Sequence, residues 1–130
     1  MTRRATVLAA VLLLAGCNGG TVDRHALTKD AESLDSIACE GALVADGVAR
    51  DRTTSFYARE QAEELWIQAS NLANALAKRK AVPAIEARVR KKSKEAAAIA
   101  SVLQRLHDHP SDRTVGAAVE RELTQAGNCP

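Results

Sequence analysis

Residues 58–76, AREQAEELWIQASNLANAL, contain the pattern that determines the fold class of this chain. Six apolar residues recur here at intervals of three and four positions. They are Ala58, Ala62, Leu65, Ala69, Leu72 and Leu76. Because an α-helix turns once in about 3.6 residues, this spacing aligns all six on one face. The stretch therefore predicts an amphipathic helix that buries this face in a helical bundle.

The same spacing occurs on both sides of this stretch. The next segment starts at Pro83, which suits a first helical position, and only Lys92 interrupts its apolar face. That face consists of Ile85, Val89, Lys92, Ala96, Ile99, Leu103 and Leu106. The preceding segment has Leu27, Ala31, Leu34, Ala38, Gly41, Ala45 and Val48, and the last has Val115, Val119, either Glu122 or Leu123, and Ala126. We therefore predict helices at about 23–49, 54–80, 83–107 and 112–126.

Composition also favours an all-α fold. The chain has one Trp, one Tyr, one Phe and three Pro residues, and it is rich in alanine. Few aromatic residues argue against a β-sheet protein and for helices that pack closely through small side chains. Because the connections between the predicted helices are short, neighbouring helices should run antiparallel. We expect an up-down-up-down antiparallel helical bundle with three long helices and a shorter fourth.

Two glycines, Gly41 and Gly47, lie inside the first predicted helix. Each weakens a helix by about 1 kcal/mol relative to alanine. Either glycine would allow another helix to approach closely, and Gly47 alternatively ends the helix early.

The first twenty residues, MTRRATVLAAVLLLAGCNGG, have the pattern of an export signal. Arg3 and Arg4 precede an apolar run at 5–15 that is shorter than the roughly 20 residues a membrane-spanning helix needs. At its end, Leu14-Ala15-Gly16-Cys17 resembles the lipobox of bacterial lipoprotein precursors. The resemblance implies cleavage before Cys17, a diacylglyceryl group on its thiol, and further acylation, such as by palmitate. An ordinary secretory signal with a chance cysteine is the alternative.

This resemblance implies three regions: a signal peptide at 1–16, a lipidated tether at 17–22 and a helical bundle domain at 23–130. Two or three acyl chains hold a protein stably on a bilayer, whereas one chain does not. The expected location is therefore the exported side of the cell membrane or the outer membrane. The helical region resembles small alanine-rich helical lipoproteins, a resemblance that carries no motif and assigns no functional residues.

Two further cysteines, Cys39 and Cys129, remain after Cys17 is assigned to lipid. An even pair in an oxidising compartment favours one disulfide. At about 1.5 Å of rise per residue, both cysteines should lie at similar heights in the antiparallel bundle. Two free thiols or a metal pair are the alternatives, but no further ligand stands at zinc-type spacing.

Positive charge is concentrated in residues 78–94, KRKAVPAIEARVRKKSK, which carry eight cations and one carboxylate. The whole chain has 18 Lys and Arg against 16 Asp and Glu, and cleavage before Cys17 would remove Arg3 and Arg4 and leave sixteen of each sign. Residues 18–77, in contrast, carry five cations and ten carboxylates. A neutral mature chain is thus strongly asymmetric.

We name these eight cations the basic cluster and expect them to bind an anionic surface. They are Lys78, Arg79, Lys80, Arg88, Arg90, Lys91, Lys92 and Lys94. In an antiparallel bundle the turn near 80–83 lies at the same end as residue 23, to which the tether from Cys17 leads. The basic end should therefore face phospholipid head groups, with anionic wall polymers as another partner and Lys92 extending its ammonium to solvent. Alternatively, the cations complement a helix dipole and form an ordinary solvated face.

The sequence predicts no catalytic, metal or cofactor site. His25 should lie at the opposite end of the bundle from His107 and His109, and His107-Asp108-His109 is better explained as a solvated turn before Pro110 than as a metal site. The serines lack a nucleophile elbow, and no glycine-rich phosphate loop occurs. Trp66 is expected at the edge of the core, with ligand stacking as the alternative.

These observations favour a non-enzymatic envelope interaction or structural module, with an envelope protein as a further partner. The alternative is a carrier or binding protein for a small ligand between the helices, which would need an internal cavity. An enzyme would need scattered residues to converge in a cleft. Nucleic acid is not expected as a partner, because the stacking aromatic residues and a recognition motif are missing and the compartment is wrong.

Overall fold

The computed structural model describes residues 21–130, so the predicted signal peptide and Cys17 lie outside the described residues. Within this range the chain is all-helical, as predicted, and its four α-helices pack against each other. They are α1 (Arg24–Ala49), α2 (Ser55–Lys78), α3 (Glu86–Asp108) and α4 (Arg113–Gly127). A short 3₁₀ helix, Pro83–Ile85, leads into α3.

Side-chain caps determine where three of the helices begin. The Asp23 carboxylate accepts a hydrogen bond from the Ala26 amide at the start of α1, and the Thr54 hydroxyl accepts one from the Tyr57 amide at the start of α2. Asp112 does the same for two amides at the start of α4. Each cap satisfies amide groups that have no partner within the helix.

The end of α2 differs from the prediction. The helix ends at Lys78, and Arg79 is already extended with ψ of 142°. The predicted helix at about 54–80 therefore ends two residues too late. The physical reason is a competing hydrogen bond, because the Lys80 carbonyl accepts from the Val22 amide at 2.8 Å.

The core consists of the predicted apolar faces. In α2, five of the six predicted residues are buried, and Leu72 is partly buried. In α3, all predicted residues except Lys92 are buried. In α4, Leu123 is buried whereas Glu122 and Ala126 are exposed, which decides the alternative at 122–123 and corrects the prediction for Ala126. α1 packs mainly against α4, and α2 packs mainly against α3.

A second, smaller apolar cluster lies apart from this main core. It consists of Val22, Leu76, Ile85 and Val89, all at most 2% exposed. Val22 comes from the segment before α1, so this cluster fixes that segment against α2 and α3.

Glycines allow the closest helix contacts. A Cβ atom built on Gly116 of α4 would lie 2.8 Å from the Ala49 amide nitrogen and 3.0 Å from the Ala45 carbonyl oxygen, both in the backbone of α1. A Cβ on Gly41 would meet the ends of two leucine side chains instead. Gly41 thus makes room for leucine side chains from α3 and α4, whereas Gly47 does not end the helix, since α1 continues to Ala49.

The predicted disulfide is present. Cys39 and Cys129 are bonded at an S–S distance of 2.04 Å, with their Cα atoms 5.4 Å apart. α4 ends at Gly127, and Asn128 follows in the left-handed conformation with φ of 51°, a common way to end a helix. The reversal brings Cys129 to the middle of α1.

Candidate functional site

The segment before α1 is hydrogen-bonded to the turn between α2 and α3. The Val22 amide donates to the Lys80 carbonyl at 2.8 Å, and the Val82 amide donates to the Val22 carbonyl at 3.2 Å. These two bonds form a parallel β-bridge between Val22 and Ala81. Because of these bonds, the start of the described chain lies beside the cations at the end of α2. Val22 itself is only 1% exposed.

Seven members of the basic cluster are exposed, and Lys92 is partly buried with 25% of its side chain exposed. The ammonium group of Lys92 lies 2.6 Å from a carboxylate oxygen of Glu95. Arg90 pairs with Glu86 at 3.3 Å, and Lys91 approaches Glu95 at 3.9 Å. Within residues 21–130, the other five cations form no ion pair. They are Lys78, Arg79, Lys80, Arg88 and Lys94.

The basic cluster is not one compact patch. Lys78 ends α2, Arg79 and Lys80 lead into the turn that contacts Val22, and Arg88 lies in the first turn of α3. Lys94 lies eight residues into α3, about 12 Å along the helix from Glu86. The structure therefore brings the turn cations next to the start of α1 and spreads the others along the side of α3.

An apolar turn separates the two groups of cations. Val82, Pro83 and Ala84 are all exposed, and Val82 retains 39% of its accessible surface. Beside them lies an open depression of about 370 Å³ that also involves Arg24 and His25 of α1. Sequence analysis missed this feature, although an apolar triplet between two runs of cations was its signal.

A groove of about 480 Å³ lies between α1 and α3. Its floor includes Leu27 and Ala31, with Glu32 on the α1 side and Arg88 and Lys91 on the α3 side. α4 ends at Gly127, whose Cβ position is next to Asp35 and Ala38 of α1. Because α4 is shorter than the other helices, it does not cover the start of α1. The groove lies along this part of α1.

His107, near the end of α3, contacts one aromatic ring and one carboxylate. The His107 ring lies 5.8 Å from the Trp66 ring, and its Nδ1 atom is 3.0 Å from an Asp108 carboxylate oxygen. Trp66 is partly buried and packs against the main core, as predicted. Across residues 21–130 no three His, Cys, Asp or Glu side chains are grouped so that they could hold a metal ion.

None of the helices within residues 21–130 combines the length and the apolar character needed to cross a bilayer. No protein-family model, curated protein or solved structure matches this chain. Functional assignment therefore depends on the residues and their geometry.

Proposed function

We propose that this protein is an exported lipoprotein, anchored by lipid on Cys17, that serves as a non-enzymatic interaction or structural module of the cell envelope with its basic end against the membrane. The observation that carries the proposal is the pair of hydrogen bonds between Val22 and the Lys80–Val82 turn. Four residues lie between Cys17 and Val22, and the five residue-to-residue steps of an extended chain reach about 18 Å at most. A lipid on Cys17 would therefore keep the turn cations near head groups.

We further propose that the four helices follow an up-down-up-down order. Several contacts support it: along α4, Gly116 lies beside Ala45 and Ala49 of α1, whereas Gly127 lies beside Asp35 and Ala38. From Gly116 to Gly127, α4 therefore passes residues of α1 in descending order, which supports an antiparallel pair. Between α2 and α3, the Ser93 hydroxyl donates to the Ala73 carbonyl, and the His107 ring lies beside Trp66, which is again an antiparallel order.

Electrostatics supports an anionic partner for the basic end. A cation near an anionic bilayer contributes about 1 kcal/mol, and the attraction falls off over a Debye length, which is about 10 Å at 0.1 M salt. Cations without a carboxylate partner contribute most, because no internal ion pair must be broken. Anionic lipid is thus the preferred surface, and anionic wall polymers offer the same charge.

Lipid anchoring is tested by the change Cys17→Ser. We expect the variant to lose metabolic labelling by palmitate, because the thiol that would carry the diacylglyceryl group is absent. It should also be uncleaved or leave the membrane fraction. Normal palmitate labelling of this variant would disprove the assignment of Cys17.

Surface binding is tested with residues 21–130, which contain all four helices, both apolar clusters and the disulfide. This fragment should sediment with phosphatidylglycerol-containing vesicles at low salt, and hardly at all with phosphatidylcholine vesicles or in 1 M salt. Changing Lys78, Arg79, Lys80 and Arg88 to Gln should remove most binding, because these cations have no carboxylate partner within this fragment and lie at or beside the turn. A control variant with the same loss of charge changes Arg52, Arg59, Arg113 and Arg121 to Gln, and it should bind like the wild type. Equal binding to both kinds of vesicle would contradict the proposed orientation.

The groove between α1 and α3 favours a second candidate function, the binding of a small amphipathic ligand. Its apolar floor at Leu27 and Ala31 and its charged walls would suit a molecule with one apolar and one ionic part. The dye 1-anilinonaphthalene-8-sulfonate, which combines both parts, should then bind saturably. Filling the floor with Ala31→Trp should abolish that binding, and unchanged binding would remove the groove as the site.

A further inference from the structure

We propose that the apolar turn Val82-Pro83-Ala84 enters the head-group layer of an anionic bilayer when the protein is anchored. This inference rests on the proposed function and deepens it, because it names the part of the basic end that contacts lipid. It assigns the turn a role beyond connecting α2 to α3.

The first argument is exposure. Val82, Pro83 and Ala84 project three consecutive apolar side chains into solvent, while the next residue, Ile85, is only 2% exposed within the small apolar cluster. Removing apolar surface from water favours insertion into an apolar layer. Three small side chains would enter the interface without making this segment a membrane-spanning helix.

The second argument is rigidity. The Val82 amide is bonded to the Val22 carbonyl, the Ile85 amide donates to the Val82 carbonyl at 2.9 Å, and Pro83 has a restricted φ angle. Ile85 holds the far side of the turn in the small cluster. The turn is therefore already shaped as a projection, and little conformational freedom would be lost on insertion.

The third argument is charge. Lys78, Arg79 and Lys80 precede the turn, Arg88 follows it, and Arg24 at the start of α1 lies beside it. Two carboxylates also lie near the turn. Asp23 lines the same depression as Val82 and keeps its charge, and Glu86 pairs with Arg90, so the cations still outnumber the carboxylates there. An apolar tip with cations before and after it in the chain complements the lipid interface, where apolar chains lie beneath anionic phosphates.

The fourth argument is the position of the tether. Val22 is bonded to the same turn, so a tether from Cys17 would join the described domain beside Val82. A lipid on Cys17 and the apolar turn would thus reach the bilayer together. This shared position favours a lipid surface over a protein partner for the turn.

The experiment uses the full, lipidated chain reconstituted into vesicles with or without phosphatidylglycerol. Ala84→Cys is labelled with an environment-sensitive fluorophore, and Ser111→Cys, in the exposed turn between α3 and α4, is the matched control. Because Cys39 and Cys129 are bonded to each other and Cys17 carries lipid in the proposal, only the introduced thiol should react. The label at residue 84 should shift to the blue and be quenched by spin-labelled lipid in anionic vesicles. The label at residue 111 should do neither.

Three results would overturn the inference. If the protein floats with the vesicles while the label at residue 84 remains in water, the turn does not insert but the anchor stands. If the protein does not float, anchoring fails and the inference fails with it. If the shift is the same in neutral vesicles, the cations before and after the turn do not contribute to insertion, and the inferred preference for an anionic bilayer is wrong. Val82→Ser, an unlabelled change beside the label, should reduce the shift at residue 84 and leave flotation unchanged.

Discussion

The interface of α1 with α4 and the region around the α2–α3 turn are held together in different ways. At the first, backbones approach so closely that Gly116 has no room for a methyl group, and the Cys39–Cys129 disulfide closes the contact. At the second, three other buried side chains and two main-chain hydrogen bonds hold Val22 beneath a highly charged surface. Tight packing with a covalent link contrasts with a small core under exposed charge. The first arrangement suits stability, and the second leaves its surface free for contacts.

Removal of the disulfide should lower the free energy of unfolding more than any other change in these two regions. The bond closes a loop with a sequence separation of 90 residues. In the chain-entropy model, a loop of this length contributes roughly 4.5 kcal/mol to the free energy of unfolding. The double change Cys39→Ala and Cys129→Ala should lower that free energy accordingly in urea titrations. In the wild-type protein both thiols should resist alkylation until reduced, and free thiols in protein taken from the envelope would contradict the pairing.

The small apolar cluster should show the next largest effect. Ile85→Ala removes a side chain that is 98% buried, since it is 2% exposed, and such deletions cost about 2 to 5 kcal/mol of unfolding free energy. Because Val22 packs on Ile85, hydrogen exchange of the Val22 and Val82 amides should accelerate more than exchange in α4. The neighbouring change Val82→Ala is the control, and it should alter stability little because Val82 is exposed. Equal effects of the two changes would show that this cluster is not a separate core.

Gly116→Ala tests the close approach of α1 and α4 directly. Its Cβ atom would collide with backbone atoms of Ala45 and Ala49, which cannot rotate away. Overpacking of this kind costs about 1 to 3 kcal/mol, even though alanine is the better helix former. Gly41→Ala should be less harmful, since its new methyl meets leucine side-chain ends that can shift. Thermal unfolding of the two variants compares them, and a Gly116→Ala protein as stable as the wild type would show that the helices can separate slightly at no cost.

The sequence predicts the repeating part of this fold and misses its particular contacts. Intervals of three and four identify the buried residues of α2 and α3, because helix geometry alone determines which side chains share a face. Such intervals do not distinguish Glu122 from Leu123, since adjacent residues lie only about 100° apart on the helix. The importance of Gly116 was also missed, because a close approach depends on which helix lies opposite.

The candidate site could be predicted in composition but not in arrangement. The eight cations and the turn at Pro83 follow from the sequence itself. The burial of Val22 and its bonds to Lys80 and Val82 depend on long-range contacts, which no local pattern encodes. That same bonding ends α2 at Lys78, two residues earlier than local helix propensity predicts.

Gly47→Ala should have the smallest effect, and its sign should be opposite to that of Gly116→Ala. Gly47 lies inside α1 with an ordinary helical conformation, and a methyl group there would meet only the Thr53 side chain, at 3.3 and 3.4 Å. That side chain belongs to the turn after α1 and can move by a few tenths of an ångström. The better helix propensity of alanine should then raise the unfolding free energy by up to about 1 kcal/mol. Urea titration of both glycine variants decides the comparison, because a loss of stability at Gly47 would mean that the turn at Thr53 is packed as rigidly as the α1–α4 interface.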